Sequence, residues 1–137
     1  VYASGLAINN TPRAGERLPY APRFQGNLAA SYTLPRRWTR NLPGEFRIGG
    51  DISYQSALFT DALDNTQTRL PDQTYFNALL AWTSADRHWD VSLSARNLAD
   101  RRLPQTLSFV QAQGVPLIWA ASYANPRTVF ATLRYRL

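Results

Sequence analysis

His88 is the only histidine of the chain, set between Arg87 and Trp89 with Asp86 and Asp90 close by. An imidazole beside carboxylates is the raw material of a general base. Such a base also needs a nucleophile to activate, and no serine here stands in the glycine-flanked turn that presents one. The stretch reads as a tight polar turn with an exposed histidine, and no enzyme is expected. Asp61, Asp64 and Asn65 offer oxygen donors to a hard cation. The glycine and the distal glutamate of a calcium loop are missing there, so a solvated loop is expected, with no metal and no cofactor. Cysteine is absent, which excludes disulfides and thiolate metal centres. No glycine-rich phosphate loop occurs. Arg36, Arg37, Trp38 and Arg40 join positive charge to a stacking ring, the combination that single-stranded nucleic acid takes. Pro35 and Pro43 bracket them, however, and the stretch reads as a turn between strands. No nucleic-acid partner is expected.

The elements around these residues are strands. From Val129 the odd positions are Val129, Ala131, Leu133, Tyr135 and Leu137, while Thr128, Thr132, Arg134 and Arg136 are polar. Only Phe130 breaks the rule. Period-2 alternation gives a strand with one apolar and one wet face. Upstream the same pattern recurs. Residues 24–34 place Phe24, Gly26, Leu28, Ala30, Tyr32 and Leu34 on one face, over about the length a tilted strand needs to cross a bilayer. Residues 45–57 set Phe46, Ile48, Ile52 and Tyr54 against Arg47, Asp51, Ser53 and Gln55. The Gly49-Gly50 pair inside them predicts a kink, a bulge or a close backbone approach. Residues 74–84 carry Phe76, Ala78, Leu80 and Trp82 on one face. Residues 89–97 alternate Trp89, Val91, Leu93 and Ala95 with Asp90, Ser92, Ser94 and Arg96. Val1 to Ile8 reads as the tail of an earlier strand, followed by a long connection to residue 23. In the long segment 98–124, Thr106 to Gln111 and Leu117 to Ser122 read as strand extensions flanking Gln113-Gly114.

The connections alternate in length, short at 85–88 and long at 58–73 and 98–124. Outer-membrane barrels have short periplasmic turns and long extracellular loops. A last strand running towards the periplasm puts 85–88 on that side and both long segments outside. The ten residues 35–44 then form a periplasmic turn that is longer than usual. Tyr32, Trp82, Trp89 and Tyr135 fall near the periplasmic strand ends, where an aromatic girdle belongs. Arg47, Asp51, Arg96, Arg134 and Arg136 face the lumen, where they pair or hydrate the wall.

Bulk composition is compatible with this. The chain has 137 residues and a net charge of +6, with every basic residue an arginine. That charge suits nucleic acid, acidic lipid or an anionic ligand and does not choose among them. No apolar run reaches the ~20 residues of a membrane helix, but barrel strands alternate and leave no such run. A closed barrel takes at least ~8 strands, so five must be completed by others. The sequence starts in mid-pattern without Met or a signal peptide, and it reads as the C-terminal piece of a longer protein. The fold class expected is all-β, an antiparallel transmembrane barrel. Two other readings share the alternation: a passive porin or adhesin barrel, and a soluble β-sandwich that binds carbohydrate or nucleic acid.

Three segments carry a more specific signal. GERLPYAPRFQGNLAASYTL (Gly15 to Leu34), WDVSLSARNLADRRL (Trp89 to Leu103) and YANPRTVFATLRYRL (Tyr123 to Leu137) follow one another in this order. Together they resemble the C-terminal barrel of TonB-dependent outer-membrane receptors. They are similar to that family's Gly-x-x-Leu-Pro-x-x-Pro strand entry, its Asn-Leu-x-Asp turn with following basic residues, and its Pro-Arg-Thr opening of the last strand. The resemblance implies that residues 1–137 are the C-terminal ~5 strands of a 22-stranded barrel, with the plug domain and the TonB box lying outside this chain. It implies the rest of the receptor, the TonB complex and outer-membrane lipid as partners. It also implies the barrel-assembly machinery, which would read Val129, Ala131, Leu133, Tyr135 and Leu137 as a terminal signal. The family usually ends on an aromatic residue, so Leu137 is a departure. The implied function is active uptake of a scarce solute across the Gram-negative outer membrane, most often a ferric siderophore. Arg101, Arg102, Phe109, Trp119 and Tyr123, in the outer loops, combine guanidinium and aromatic groups that suit an anionic, ring-rich iron chelate.

Overall fold

The computed structural model describes residues 7–8, 11–12, 17–39, 42–61, 66–112 and 115–137. In chain order its strands are β1 (Ala7–Ile8), β2 (Thr11–Pro12), β3 (Gln25–Thr33), β4 (Glu45–Gln55), β5 (Leu58–Phe59), β6 (Arg69–Leu70), β7 (Gln73–Thr83), β8 (Trp89–Arg96), β9 (Pro104–Ala112), β10 (Val115–Tyr123) and β11 (Thr128–Tyr135). One 3-10 turn, Thr66–Thr68, precedes β6. The chain divides into two compact units, residues 1–25, 55–73 and 102–124 in the first and 26–54, 74–101 and 125–137 in the second.

The second unit is built on a five-stranded sheet in the order β11-β8-β7-β4-β3, a meander in which spatial and chain order agree. All five expected strands are present, each within two residues of the ends stated above, with the largest differences at the ends of β4 and β11. Strand β11 was expected to run through Leu137 and stops at Tyr135, where it pairs with Trp89. Arg136 still donates its backbone N–H to the His88 carbonyl, 2.8 Å away. The register matches apolar residues with apolar: Val129 with Ala95, Ala131 with Leu93, Leu133 with Val91 and Tyr135 with Trp89. It continues through Leu80 opposite Leu93 and Trp82 opposite Val91. A one-residue slip would turn all of these over, so the alternation itself specifies the pairing.

Two glycines admit close backbone approaches. Gly44, at φ +113°, has the Thr83 carbonyl where a Cβ would sit. Only glycine holds that dihedral and that space. Gly50 would place a Cβ 2.9 Å from the Asn77 carbonyl, which is the close approach the glycine pair predicts.

The first unit contains three two-stranded sheets, β1-β2, β5-β6 and β9-β10. The last is the largest, and longer than the two short extensions expected from sequence. Phe109 pairs with Trp119 across it, and Thr106 with Ser122. Leu58, Leu70, Thr68 and Ala124 are buried here, Leu70 with only 2% exposure. Gln73 is buried as well and donates its amide to the Pro104 carbonyl at 2.7 Å. The segment 58–73, read from sequence as a loop, therefore supplies much of this unit's small core.

Candidate functional site: the two faces of the barrel wall

The sheet separates two chemistries. On one face lie Phe46, Leu80, Trp82, Val91 and Leu93, which together line an apolar groove with Leu42 and Pro43 of the preceding turn. Leu80, Leu93 and Leu133 are exposed in spite of being aliphatic. Such a continuous greasy face has no partner in water and is what acyl chains solvate.

The opposite face is polar and charged. Glu45, Arg47, Thr83, Asp90, Arg134 and Arg136 converge with Ala81 on one concave patch. Asp90 is its centre. Its Oδ1 accepts a hydrogen bond from the Thr83 hydroxyl at 2.8 Å. Its Oδ2 lies 2.7 Å from Arg136 Nη2, an ion-pair contact whose angle falls outside hydrogen-bond geometry. Arg134 is the register partner of Asp90. Arg47 lies 3.9 Å from Glu45. Further along, Asn77 donates to Asp51 at 2.8 Å. Of the five residues expected to pair on this face, Arg136 and Arg47 contact carboxylates and Asp51 accepts from an amide. Phe130, the one break in the alternation, lies on this face, with the Arg96 guanidinium 5.8 Å from its ring centroid. A cation over the ring gives an aromatic side chain a use on a wet wall.

Aromatic rings collect at the short-turn end. Trp89 and Tyr135 are 4.7 Å apart, Phe46 and Trp82 6.3 Å, and Tyr32 and Trp38 6.4 Å. Trp82 Nε1 donates to the Pro43 carbonyl at 2.9 Å. Rings with an apolar body and a polar tip settle at a membrane–water interface, and the expected girdle is present.

The turn between β7 and β8 holds His88. Asp86 accepts hydrogen bonds from the Ser84 hydroxyl and, at 3.2 Å, from the His88 backbone N–H. The His88 Nδ1 is 3.2 Å from its carboxylate, and the imidazole stacks on Tyr135 at 6.0 Å. The Ser84 hydroxyl, then His88, holds the Asp86 carboxyl down at about 2. Ser84 closes the turn by accepting from the Trp89 N–H at 2.9 Å. His88 is thus a turn residue, held with Ser84 around the Asp86 carboxylate.

At the other end of β8, sequence reasoning missed a polar clasp. Asn97 is buried and in the left-handed region (φ +52°), which asparagine tolerates. Its amide donates to the carbonyls of Arg101 and Asn125, both at 2.9 Å, and its Oδ1 accepts from the Arg101 N–H. Asp100, at φ +49°, accepts from the Arg127 N–H at 2.8 Å. The signal for it was the Asn-Leu-x-Asp spacing, noted only as a family resemblance.

Of the five proposed solute-contacting residues, Arg101 is in the second unit and exposed, while Arg102 and Tyr123 are in the first and exposed, Tyr123 at 62%. Phe109 and Trp119 face one another in backbone register, and their side chains lie outside the described residues. Asp64, Asn65 and Arg40 also lie outside them. Among the described residues, no group of three or more acidic or histidine side chains could hold a metal.

An antiparallel meander with a lipid-compatible face, a charged face and a ring belt at its short-turn end is wall material for a transmembrane β-barrel. The family described as TonB dependent receptor-like, beta-barrel matches residues 2–98, which takes in four of the five strands of the sheet. The chain belongs to this family. No curated protein and no solved structure matches it. The terminal strand, with its Pro-Arg-Thr opening, lies past the matched residues and is tied to them by pairing with β8.

Proposed function

We propose that this chain forms late wall strands and outer loops of a receptor that takes up a ferric siderophore through TonB. The family implies TonB-dependent transport across a Gram-negative outer membrane; the iron chelate is the finer reading. The observation that carries it is the exposed Arg102 and Tyr123 of the first unit, with Phe109 and Trp119 opposed on its hairpin. The combination of guanidinium and aromatic residue types suits an anionic chelate with aromatic arms. The open five-stranded sheet is completed by further strands, because closure takes ~8 or more. Energised transport rests on a plug domain and the TonB complex, the partners that the family implies. Assembly rests on the outer-membrane insertion machinery reading Val129, Ala131, Leu133, Tyr135 and Leu137.

Uptake of radiolabelled ferric siderophores by iron-starved cells tests this reading. A catecholate or mixed-ligand chelate should enter in a TonB-dependent manner, and Arg102→Gln with Tyr123→Ala should depress that uptake at least about tenfold if both contacts are used. Unimpaired iron uptake in a deletion strain, with TonB-dependent loss of a different solute, would replace the chelate.

A further inference from the structure

The apolar groove and the turn above it carry a second recognition feature. The turn 35–44 reads PRRWTRNLPG, with three arginines and no acid. It is folded on itself by hydrogen bonds from Trp38 to the Pro35 carbonyl (2.9 Å), from Thr39 to Arg36 (3.2 Å) and from Leu42 to Thr39 (2.8 Å). Arg36 and Arg37 are exposed, and among the described residues no carboxylate pairs with either. The Arg37 guanidinium lies 6.0 Å from the Trp38 ring centroid, and Trp38 in turn meets Tyr32. Leu42 and Pro43 of the same turn form the rim of the groove, whose floor is Phe46, Leu80, Trp82 and Leu93. The one polar atom of the Trp82 side chain is already spent on Pro43, so the groove offers no hydrogen bond to an occupant.

We infer that this turn and groove bind an anionic phospholipid of the periplasmic leaflet, its phosphate on Arg36 and Arg37 and an acyl chain along the groove. Charge complementarity selects the head group: two unpaired guanidinium groups without a neighbouring acid favour a head group of net negative charge over a zwitterion, whose own ammonium offsets its phosphodiester. The apolar lining of the groove selects the tail. The leaflet follows from the short-turn end being periplasmic. A structural turn would need the prolines and the Trp82 bond but not two unpaired cations. The inference rests on the barrel assignment, not on the identity of the solute.

The intact receptor, extracted from outer membranes in mild detergent and checked for a heat-dependent gel shift, is titrated with phosphatidylglycerol or chain-matched phosphatidylcholine and followed by native mass spectrometry. Phosphatidylglycerol should be retained in preference, and Arg36→Gln with Arg37→Gln should lower its retention about tenfold, to the level of phosphatidylcholine. Leu80→Trp, which fills the groove and leaves the charges, should lower retention of both lipids. Equal retention of the two lipids by the unaltered receptor overturns the inference, as does a double variant that keeps its preference. Preference for a lipid A phosphate over phosphatidylglycerol overturns it too, by placing the ligand in the other leaflet. A receptor that shows no heat shift refutes the barrel assignment itself, and the lipid site with it.

Discussion

The side-chain amide of Asn97 donates a 2.9 Å hydrogen bond to the backbone carbonyl of Asn125, fixing the entrance to β11 onto the exit of β8. Twenty-eight residues separate the two, including the whole β9–β10 hairpin. Asp100 adds a second tie through the Arg127 N–H. The turn 97–100 thus ties the start of β11 to the end of β8, within the sheet where the two strands pair.

Asn97→Ala removes the donor that two part-buried carbonyls share and strains a left-handed residue. It should destabilise the assembled barrel by about 1–3 kcal/mol. Asp100→Ala, at an exposed site, should cost about 1 kcal/mol. Urea unfolding in lipid vesicles, followed by tryptophan fluorescence, measures both. Equal, negligible effects would show that pairing alone holds β11.

Asp90 and Arg136 should be coupled. With Arg136 half exposed, solvent screening limits the pair to about 1 kcal/mol in a double-mutant cycle of Asp90→Asn and Arg136→Gln. Asp90→Asn should cost more than Arg136→Gln, because it also leaves Arg134 and Arg47 facing a patch with less negative charge. Additive single effects would show that the contact contributes nothing.

The two faces can be told apart by arginine. Leu93→Arg, on the apolar face, should destabilise by about 2–4 kcal/mol if it lies near the membrane midplane. Ser94→Arg, on the charged face one residue on, should be far milder. Equal tolerance would overturn the inward and outward assignment.

Acid should loosen the β7–β8 turn. The Asp86 carboxyl is held at about 2, below its ordinary 3.8, so its contribution is complete above pH 3.8 and is lost as pH falls to about 2. Asp86→Asn should therefore lower the urea midpoint at pH 7, and the gap should shrink steadily as pH falls from 3.8 through about 2. A gap between the two proteins that stays constant over that range would assign the turn's stability to something other than this carboxylate.

Strand existence and phase were legible because period-2 alternation and burial on one face are the same physical fact; Leu93 and Ser94 can occupy only one arrangement once β8 pairs with both neighbours. Phe130 broke the pattern because its partner, Arg96, is supplied by the adjacent strand and is invisible to a local reading. The β9–β10 hairpin was underestimated for a related reason: among the described residues its strands pair with each other alone, and no strict alternation was needed to recruit Pro104 or Tyr123. The Asn97 clasp was the harder miss. Its value lies in backbone carbonyls of residues 101 and 125, which no side-chain pattern announces. The long segment 58–73 looked like a loop because it is polar, yet Leu58, Leu70 and Thr68 are buried.

The most direct test of the membrane barrel is fractionation of the intact protein from its natural host, combined with electrophoresis of heated and unheated samples. A TonB-dependent receptor wall predicts recovery in the outer membrane and a change in migration on heating. A soluble product that migrates identically in both samples would contradict it.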